Sequence, residues 1–190
     1  MTVDDTRSMR ERMVAGDLYL ADDPTIEEES HAGRDVMTAF NATASRQKPL
    51  RHRLLEQLLG SVGVDCEIRS PLYVDFGSNL HLGDRVFVNY GLTALDVAPI
   101  TIGDDVQIGP HVQLLTPTHP LEADLRRAKW EAAEPITIGA NVWLGGGVIV
   151  CPGVTIGDNT VVGAGSVVTK DLPADVVAVG NPARVIRELT

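Results

Sequence analysis

Aliphatic residues recur at every sixth position through much of the second half of the chain. The repeat begins with Ile102-Gly-Asp-Asp-Val-Gln and Ile108-Gly-Pro-His-Val-Gln, resumes in the same phase at Ile138 after an interruption, and ends near Val168. Its first position is aliphatic, its fifth is Val, Thr, Ser or Leu, and its second is often Gly. Neither the period of two of a strand nor the 3.6 of a helix gives this spacing. The pattern predicts short strands joined by corners, three to a coil, with coils stacked roughly 4.8 Å apart.

An earlier block of the same repeat is shifted by two residues. It includes Leu82-Gly-Asp-Arg-Val-Phe and Val88-Asn-Tyr-Gly-Leu-Thr, and the extra pair Ile100-Thr101 absorbs the shift. The interruption, about 119–135, keeps the phase of the repeat but is polar and irregular. We therefore predict a loop that projects from the coil, which is where function tends to lie.

The repeat also divides the chain into three parts. Residues 1–60 lack it and are predicted to be helical, with Asp23 before Pro24 as one helix start and Pro49 near a second. Residues 61–180 form the coil, and Gly180-Asn181-Pro182 is a turn signal. Residues 181–190 are predicted to form a short helix that caps the last coil.

Composition narrows the function classes. Aromatic residues make up only 4% of the 190 residues, which suits a coil of narrow cross-section, and the net charge of −10 argues against a nucleic-acid partner. The two cysteines are far apart and lack metal-ligand spacing. The sequence has neither a signal-peptide pattern nor an apolar run of the roughly 20 residues that span a membrane. We expect a cytoplasmic protein with no membrane partner.

Three further motifs accompany the repeat: Met13-Val-Ala-Gly-Asp-Leu-Tyr19, Thr116-Pro-Thr-His-Pro120 and the ending Val-Gly-Asn-Pro-Ala-Arg-Val-Ile-Arg. With the repeat they resemble the maltose and galactoside O-acetyltransferases, a branch of the hexapeptide-repeat acyltransferases, over nearly the whole chain. The resemblance implies a mainly β fold, a left-handed parallel β-helix. It also implies a homotrimer with active sites between subunits, and acetyl transfer from acetyl-CoA to a sugar hydroxyl without a metal.

His119 stands where the coil gives way to the loop, and the resemblance implies that it is the catalytic base. A neutral imidazole can take the hydroxyl proton during attack, which contributes roughly 10² to 10⁴ in rate. By position alone, a corner histidine bonded to a carbonyl is the favoured interpretation. The other histidines are expected to be surface or packing residues: His31, His52, His81 and His111.

Three polar residues match the family's site, and a fourth lies near a family position. Asn89 matches the residue that stabilises the oxyanion on the thioester carbon, where an amide N–H could supply about 3 kcal/mol. Asp75 and Asp96 match acceptor-binding positions, and Asp22 lies near a third. Carboxylates suit sugar hydroxyls because they accept several hydrogen bonds. The residues themselves leave open a corner ladder for Asn89 and turn chemistry for Asp75 and Asp96.

The resemblance also implies a set of coenzyme A contacts. Small residues would let the backbone approach the pantetheine arm, and basic ones would meet the phosphates. The matching positions are Gly146, Ala164, Thr169, Lys170, Arg184 and Arg187, with Trp143 nearby as a further contact. Cys151 is expected to pack in the coil rather than to act as a nucleophile.

Other functions remain open from the sequence. A γ-type carbonic anhydrase shares the fold and binds a metal through three histidines, but the spacing of His81, His111 and His119 is too wide for its close pair. A non-enzymatic scaffold would not need His119, the loop and the basic C-terminal end together. Glu131 differs from the galactoside branch and favours maltose or glucose as acceptor, with an antibiotic or other xenobiotic as the alternative.

Overall fold

The structure is a computed structural model that describes residues 6–190. Its helices are α1 (Met9–Val14), α2 (Pro24–Asn41), α3 (Lys48–Leu58) and α4 (Ala123–Arg127). Its strands are β1 (Tyr19–Leu20), β2 (Glu67–Ile68), β3 (Leu72–Val74), β4 (Leu80–Leu82), β5 (Phe87–Val88), β6 (Leu92–Leu95), β7 (Ile100–Ile102), β8 (Gln107–Ile108), β9 (Gln113–Leu115), β10 (Pro117–Thr118), β11 (Trp130–Ala133), β12 (Ile136–Ile138), β13 (Trp143–Leu144), β14 (Ile149–Val150), β15 (Thr155–Ile156), β16 (Val161–Val162), β17 (Val167–Val168), β18 (Val176–Val179) and β19 (Arg184–Glu188).

Successive coil strands pass in turn through three sheets, which form the faces of a parallel β-helix. The four-stranded sheet has the order β15-β12-β7-β4, the five-stranded sheet β17-β14-β9-β6-β3, and the seven-stranded sheet β19-β18-β16-β13-β8-β5-β2. Ile138 pairs with Ile156, three repeats away, whereas Leu82 pairs with Ile102, which is two residues further. The predicted β-helix and its two-residue offset are therefore confirmed.

The repeat positions that were predicted to point inward do so. The first-position residues Ile102, Ile138 and Ile156 are 0–1% exposed, and the fifth-position residues Val106 and Val142 are fully buried. Each aliphatic side chain packs on its equivalent in the next coil, so the core is one continuous column that only neighbouring coils can cover.

The N-terminal segment closes the first end of this column. Asp23 caps α2 by accepting hydrogen bonds from the N–H groups of Thr25 and Ile26, as the sequence predicted. At the other end of α2, Asn41 binds both backbone polar groups of Leu72 on edge strand β3, its Nδ2 donating to the carbonyl at 2.7 Å and its Oδ1 accepting at 2.9 Å. The amide thus replaces the missing neighbouring strand.

The C-terminal end departs from prediction. The expected helix after residue 181 is wrong, because Arg184–Glu188 forms β19, which pairs antiparallel with β18. Val185 and Ile186 are β-branched and favour a strand, and the last coil offers an open sheet edge whose N–H and C=O groups need partners. The segment still covers the end of the coil, but as a hairpin.

The interruption is more ordered than its composition predicted. Strands β10 and β11 pair antiparallel on either side of α4, and β1 of the N-terminal segment adds to β11. The resulting three-stranded sheet, β1-β11-β10, joins the loop to the N-terminal segment. Among residues 6–190, no helix has the length and apolar character that crossing a bilayer requires.

Candidate active site

Two corners of the coil carry the predicted site residues. The first, which we call the loop corner, lies where strands of the five-stranded sheet end: Asp75 directly follows β3, Asp96 follows β6, Thr169 follows β17, and the loop leaves after β9. The second, the glycine corner, lies where strands of the seven-stranded sheet end and includes Asn89 after β5. Because parallel strands end at the same edge, residues of one corner stack along the coil.

His119 lies at the loop corner with about half of its side chain (55%) exposed. Its Nδ1 is 3.9 Å from Oε1 of Glu131, which lies on β11, the opposite strand of the loop. This separation is longer than a hydrogen bond, and such contacts are often loose before substrate binds. Glu131 is three-quarters buried, so its carboxylate is held close to the imidazole.

Glu131 is in turn held by the N-terminal segment. Tyr19 on β1 stands opposite it in register, and the Tyr19 hydroxyl donates to Glu131 Oε2 at 3.1 Å. Tyr19 is only 2% exposed. Burial, and then the nearby Glu131 carboxylate, raise the pKa of the Tyr19 phenol well above its usual value, so it stays a proton donor at physiological pH.

Asp75 is partly buried beside this group. Burial chiefly, and then the Asp96 carboxylate, raise the pKa of Asp75 to about 6, while Arg34 opposes the shift and Glu131 adds to it. The backbone carbonyl of Asp75 also accepts a hydrogen bond from Ser30 of α2 at 3.0 Å. Its carboxylate is ionised at neutral pH and can accept hydrogen bonds from a ligand.

The structure corrects the expected role of Asp96. This residue is fully buried, and its carboxylate accepts hydrogen bonds from the backbone N–H groups of Asp75, Phe76 and Asn79, at 3.0, 2.9 and 3.2 Å. Burial raises the pKa of Asp96 despite these bonds, which favour the carboxylate. Asp96 therefore builds the corner that presents Asp75, and its carboxylate does not face an acceptor.

At the glycine corner, the amide of Asn89 has a defined orientation. Its Oδ1 accepts from the Tyr90 N–H at 2.9 Å and from Arg69 Nη1 at 3.4 Å. The Arg69 guanidinium lies over the rings of Phe87 and Tyr90, 4.9 and 5.2 Å from their centroids. Within residues 6–190 the Asn89 NH₂ donates to no protein acceptor, so both of its hydrogens are free for a ligand.

A groove of about 460 Å³ begins beside Asn89 and follows the seven-stranded sheet. Three of the predicted coenzyme residues line it, namely Trp143, Gly146 and Ala164. Successive coils approach closely here, since a Cβ on Gly109 would lie 2.6 Å from the backbone nitrogen of Gly146. The floor is therefore bare backbone that suits a narrow, peptide-like chain.

The other predicted coenzyme residues lie elsewhere. Arg184 and Arg187 are exposed on β19, at the end of the same seven-stranded sheet. Thr169 and Lys170, also exposed, belong to the loop corner, so the five-stranded sheet separates them from the groove. It separates His119 from Asn89 in the same way.

The remaining residues named from the sequence lie outside the groove. Asp22 is exposed just after β1. His81 and His111 belong to a different face and corner from His119, and in the part of the chain that the structure describes no group of three or more His, Cys, Asp or Glu side chains could hold a metal ion. Cys151 packs against the core with a free thiol, as predicted.

Two residues that contact the predicted site residues could not be found from the sequence. Tyr19 was part of a matching motif, but nothing in the sequence connects it with Glu131, 112 residues away. Arg69 carries no motif signal, and only the coil register brings it beside Asn89.

Comparison with known proteins identifies the family of this chain. Residues 12–63 match the maltose acetyltransferase hexapeptide capping motif, and residues 135–170 match the bacterial transferase hexapeptide (six repeats). Galactoside O-acetyltransferase of Escherichia coli (strain K12) is 42% identical, over 95% of this chain and 89% of that protein. A maltose O-acetyltransferase structure from Clostridium difficile 630 superposes with a TM-score of 0.96 and 44% identity, over 98% of this chain and 100% of that one. A galactoside acetyltransferase in complex with coenzyme A superposes with a TM-score of 0.94 and 42% identity, over 97% and 92%. This chain is therefore an acetyltransferase of the maltose and galactoside O-acetyltransferase family, built on hexapeptide repeats.

Proposed function

We propose that this protein transfers the acetyl group of acetyl-CoA to a hydroxyl of a sugar, with His119 as the general base. The observation that carries the proposal is the exposed imidazole of His119 with the Glu131 carboxylate on its Nδ1 side, at the corner that also presents Asp75. Nε2 is then the ring nitrogen available to a hydroxyl.

The groove beside Asn89 supports acetyl-CoA as the donor. Its backbone floor suits the pantetheine arm, and the related galactoside acetyltransferase was solved with coenzyme A. A thioester at the groove end near Asn89 would receive hydrogen bonds from the free NH₂, whose orientation is fixed by Arg69 and the Tyr90 N–H. Donors that are preorganised in this way stabilise the oxyanion as it forms.

The proposed reaction gives each of these groups a defined part. As the acceptor hydroxyl attacks the thioester carbon, Nε2 of His119 takes its proton and Glu131 stabilises the resulting imidazolium. The tetrahedral intermediate, with its oxyanion on Asn89, collapses by breaking the carbon–sulfur bond. The imidazolium then donates this proton to the coenzyme thiolate, while Asp75 holds a second hydroxyl of the acceptor.

The separation of the two corners supports a homotrimer with shared sites. His119, Thr169 and Lys170 lie at the loop corner, whereas Asn89 and the groove lie at the glycine corner. A neighbouring copy that places its loop corner against this glycine corner would complete both the catalytic pair and the coenzyme site.

The outward surfaces of the sheets agree with this assembly. The five-stranded sheet, which lies between the two corners, turns partly buried Ile149 and Val167 outward, whereas the four-stranded sheet turns exposed Thr137 and Thr155 outward. Thr93 and Gln113 of the five-stranded sheet also face outward, so this face is partly apolar and partly buried, and it suits subunit contact better than the exposed threonines of the four-stranded sheet do. We place the protein in the cytoplasm, a reducing compartment in which its free thiols would persist.

The acceptor depends on the side chains that line the cleft beside the base. Glu131 stands beside the base at a position that differs from the galactoside branch, which favours maltose or glucose. An antibiotic or another xenobiotic hydroxyl is the alternative, since a few cleft side chains can redirect such a site.

Thiol release from acetyl-CoA in the presence of a sugar panel tests the reaction. We expect turnover with glucose or maltose, a loss of about a hundredfold or more in His119→Ala, and little change in the exposed control His52→Ala. Coenzyme binding without turnover on any sugar would contradict the sugar acceptor. The absence of both coenzyme binding and turnover would contradict the acetyl transfer itself.

Subunit complementation tests the shared site. His119→Ala and Asn89→Ala are each expected to be inactive, but random mixed trimers would contain intact sites made from one subunit of each kind. About a quarter of the wild-type activity should return on co-expression, because each site draws its two residues from two independent subunits. If no activity returns, the site lies within one chain.

A further inference from the structure

The proposed reaction leaves one buried polar group at the site without a role. Tyr19 is 2% exposed, lies outside the coil, and directs its hydroxyl at Glu131 Oε2 over 3.1 Å. A buried phenol needs a hydrogen-bond partner, but its partner here is the carboxylate whose other oxygen faces the base.

The Tyr19 ring is fixed by packing rather than by chance contact. It belongs to a small apolar cluster separate from the coil core, with members from the N-terminal segment, the coil and the loop. Those members include Met13, Ile26, Phe76 and Ala133, which are 0–6% exposed. The backbone pairing of Tyr19 with Glu131 adds a second restraint, so the hydroxyl has essentially one position.

We propose that Tyr19 is a positioning residue for acetyl transfer, which holds Glu131 in the rotamer that keeps Oε1 beside His119 Nδ1. This inference rests on the proposed function of His119. The phenol occupies one carboxylate oxygen and leaves the other for the imidazole. Without that hydrogen bond, Glu131 is free to rotate away, and the imidazolium loses its partner during proton transfer.

The same contact gives the N-terminal segment a part in the chemistry. Strand β1 lies before α2, and its Tyr19 contacts Glu131 of the loop, which in turn lies beside His119. Docking of β1 onto β11 therefore orders the base as well as covering the coil.

Removal of a single oxygen tests the inference. Tyr19→Phe keeps the packed ring and loses only the hydroxyl, and a hydrogen bond to a charged group of this kind corresponds to about a tenfold change. We expect kcat to fall about tenfold in the thiol-release assay, with KM for acetyl-CoA unchanged because Tyr19 does not line the coenzyme groove. Thr137→Val, which removes a hydroxyl from an exposed residue of the four-stranded sheet, is the matched control and should keep wild-type kinetics.

A double-mutant cycle separates positioning from general loosening of the fold. If Tyr19 acts through Glu131, then Tyr19→Phe should cost nothing further in a Glu131→Gln background. Wild-type kcat in Tyr19→Phe, or losses that multiply in the double variant, would overturn the inference while leaving the proposed function in place. If wild type transfers acetyl to no acceptor, or His119→Ala is fully active, the proposed function fails and the inference falls with it.

Discussion

Asp75→Asn is expected to stabilise the protein at neutral pH while it impairs acceptor use. Asp75 has a pKa raised from 3.8 to about 6, mainly because burial disfavours its charged form. An asparagine has nearly the same shape but does not ionise. The wild-type protein must hold a partly desolvated carboxylate next to buried Asp96, and the variant is relieved of that cost.

The sign and size follow from proton linkage. Between pH 3.8 and 6 the folded state holds the Asp75 proton more tightly than the unfolded state, so wild-type stability falls as pH rises through this window and is flat above it. At 1.36 kcal/mol per pKa unit, the shift makes the stability advantage of Asp75→Asn grow by about 2 kcal/mol between pH 4 and pH 7.5. Partial exposure of the carboxyl makes this an upper estimate.

Urea unfolding of both proteins at fixed concentration, at several pH values from 4 to 7.5, measures this difference. Asp35→Asn, on the exposed face of α2, controls for the removal of one negative charge. A stability difference that stays flat with pH, or that shrinks as pH rises, would refute the argument. In the thiol-release assay the same variant should show a lower kcat/KM for the acceptor, because the amide replaces one of the two accepting oxygens of the carboxylate with an NH₂ donor.

Two further predictions concern the residue that caps edge strand β3 and the residue that orients the Asn89 amide. Asn41→Ala should lower the free energy of unfolding by about 2 kcal/mol, because both backbone polar groups of Leu72 on the edge strand lose their partner. Urea unfolding measures this change. An effect no larger than that of Thr38→Ala, on the exposed face of the same helix, would contradict the prediction. Arg69→Met should lower kcat about fivefold, because the Asn89 amide loses one of the two donors that orient it, and KM for acetyl-CoA should change little. The exposed Arg53→Met is the control. Wild-type kcat in Arg69→Met, or an equal loss in the control, would show that the Tyr90 N–H alone orients the amide.

The coil could be predicted because its hydrophobic period is a direct consequence of its geometry. A residue such as Ile138 must be buried against Ile156 in every coil, so the sequence repeats wherever the structure does. Even the two-residue offset between Leu82 and Ile102 could be found from the phase alone. The C-terminal strand β19 could not be predicted, because its partner β18 is an open edge that exists only once the last coil has formed.

The site divides in the same way. The sequence by itself determined the column of aliphatic side chains, the position of the loop and the polar residues that follow each strand, because these depend on local spacing. Only the tertiary structure decided that Asp96 faces its own backbone, that Tyr19 reaches Glu131 across 112 residues, and that His119 and Asn89 lie at different corners. These facts depend on how far apart the coil and its caps hold residues that are not neighbours in sequence, and no local pattern encodes such distances.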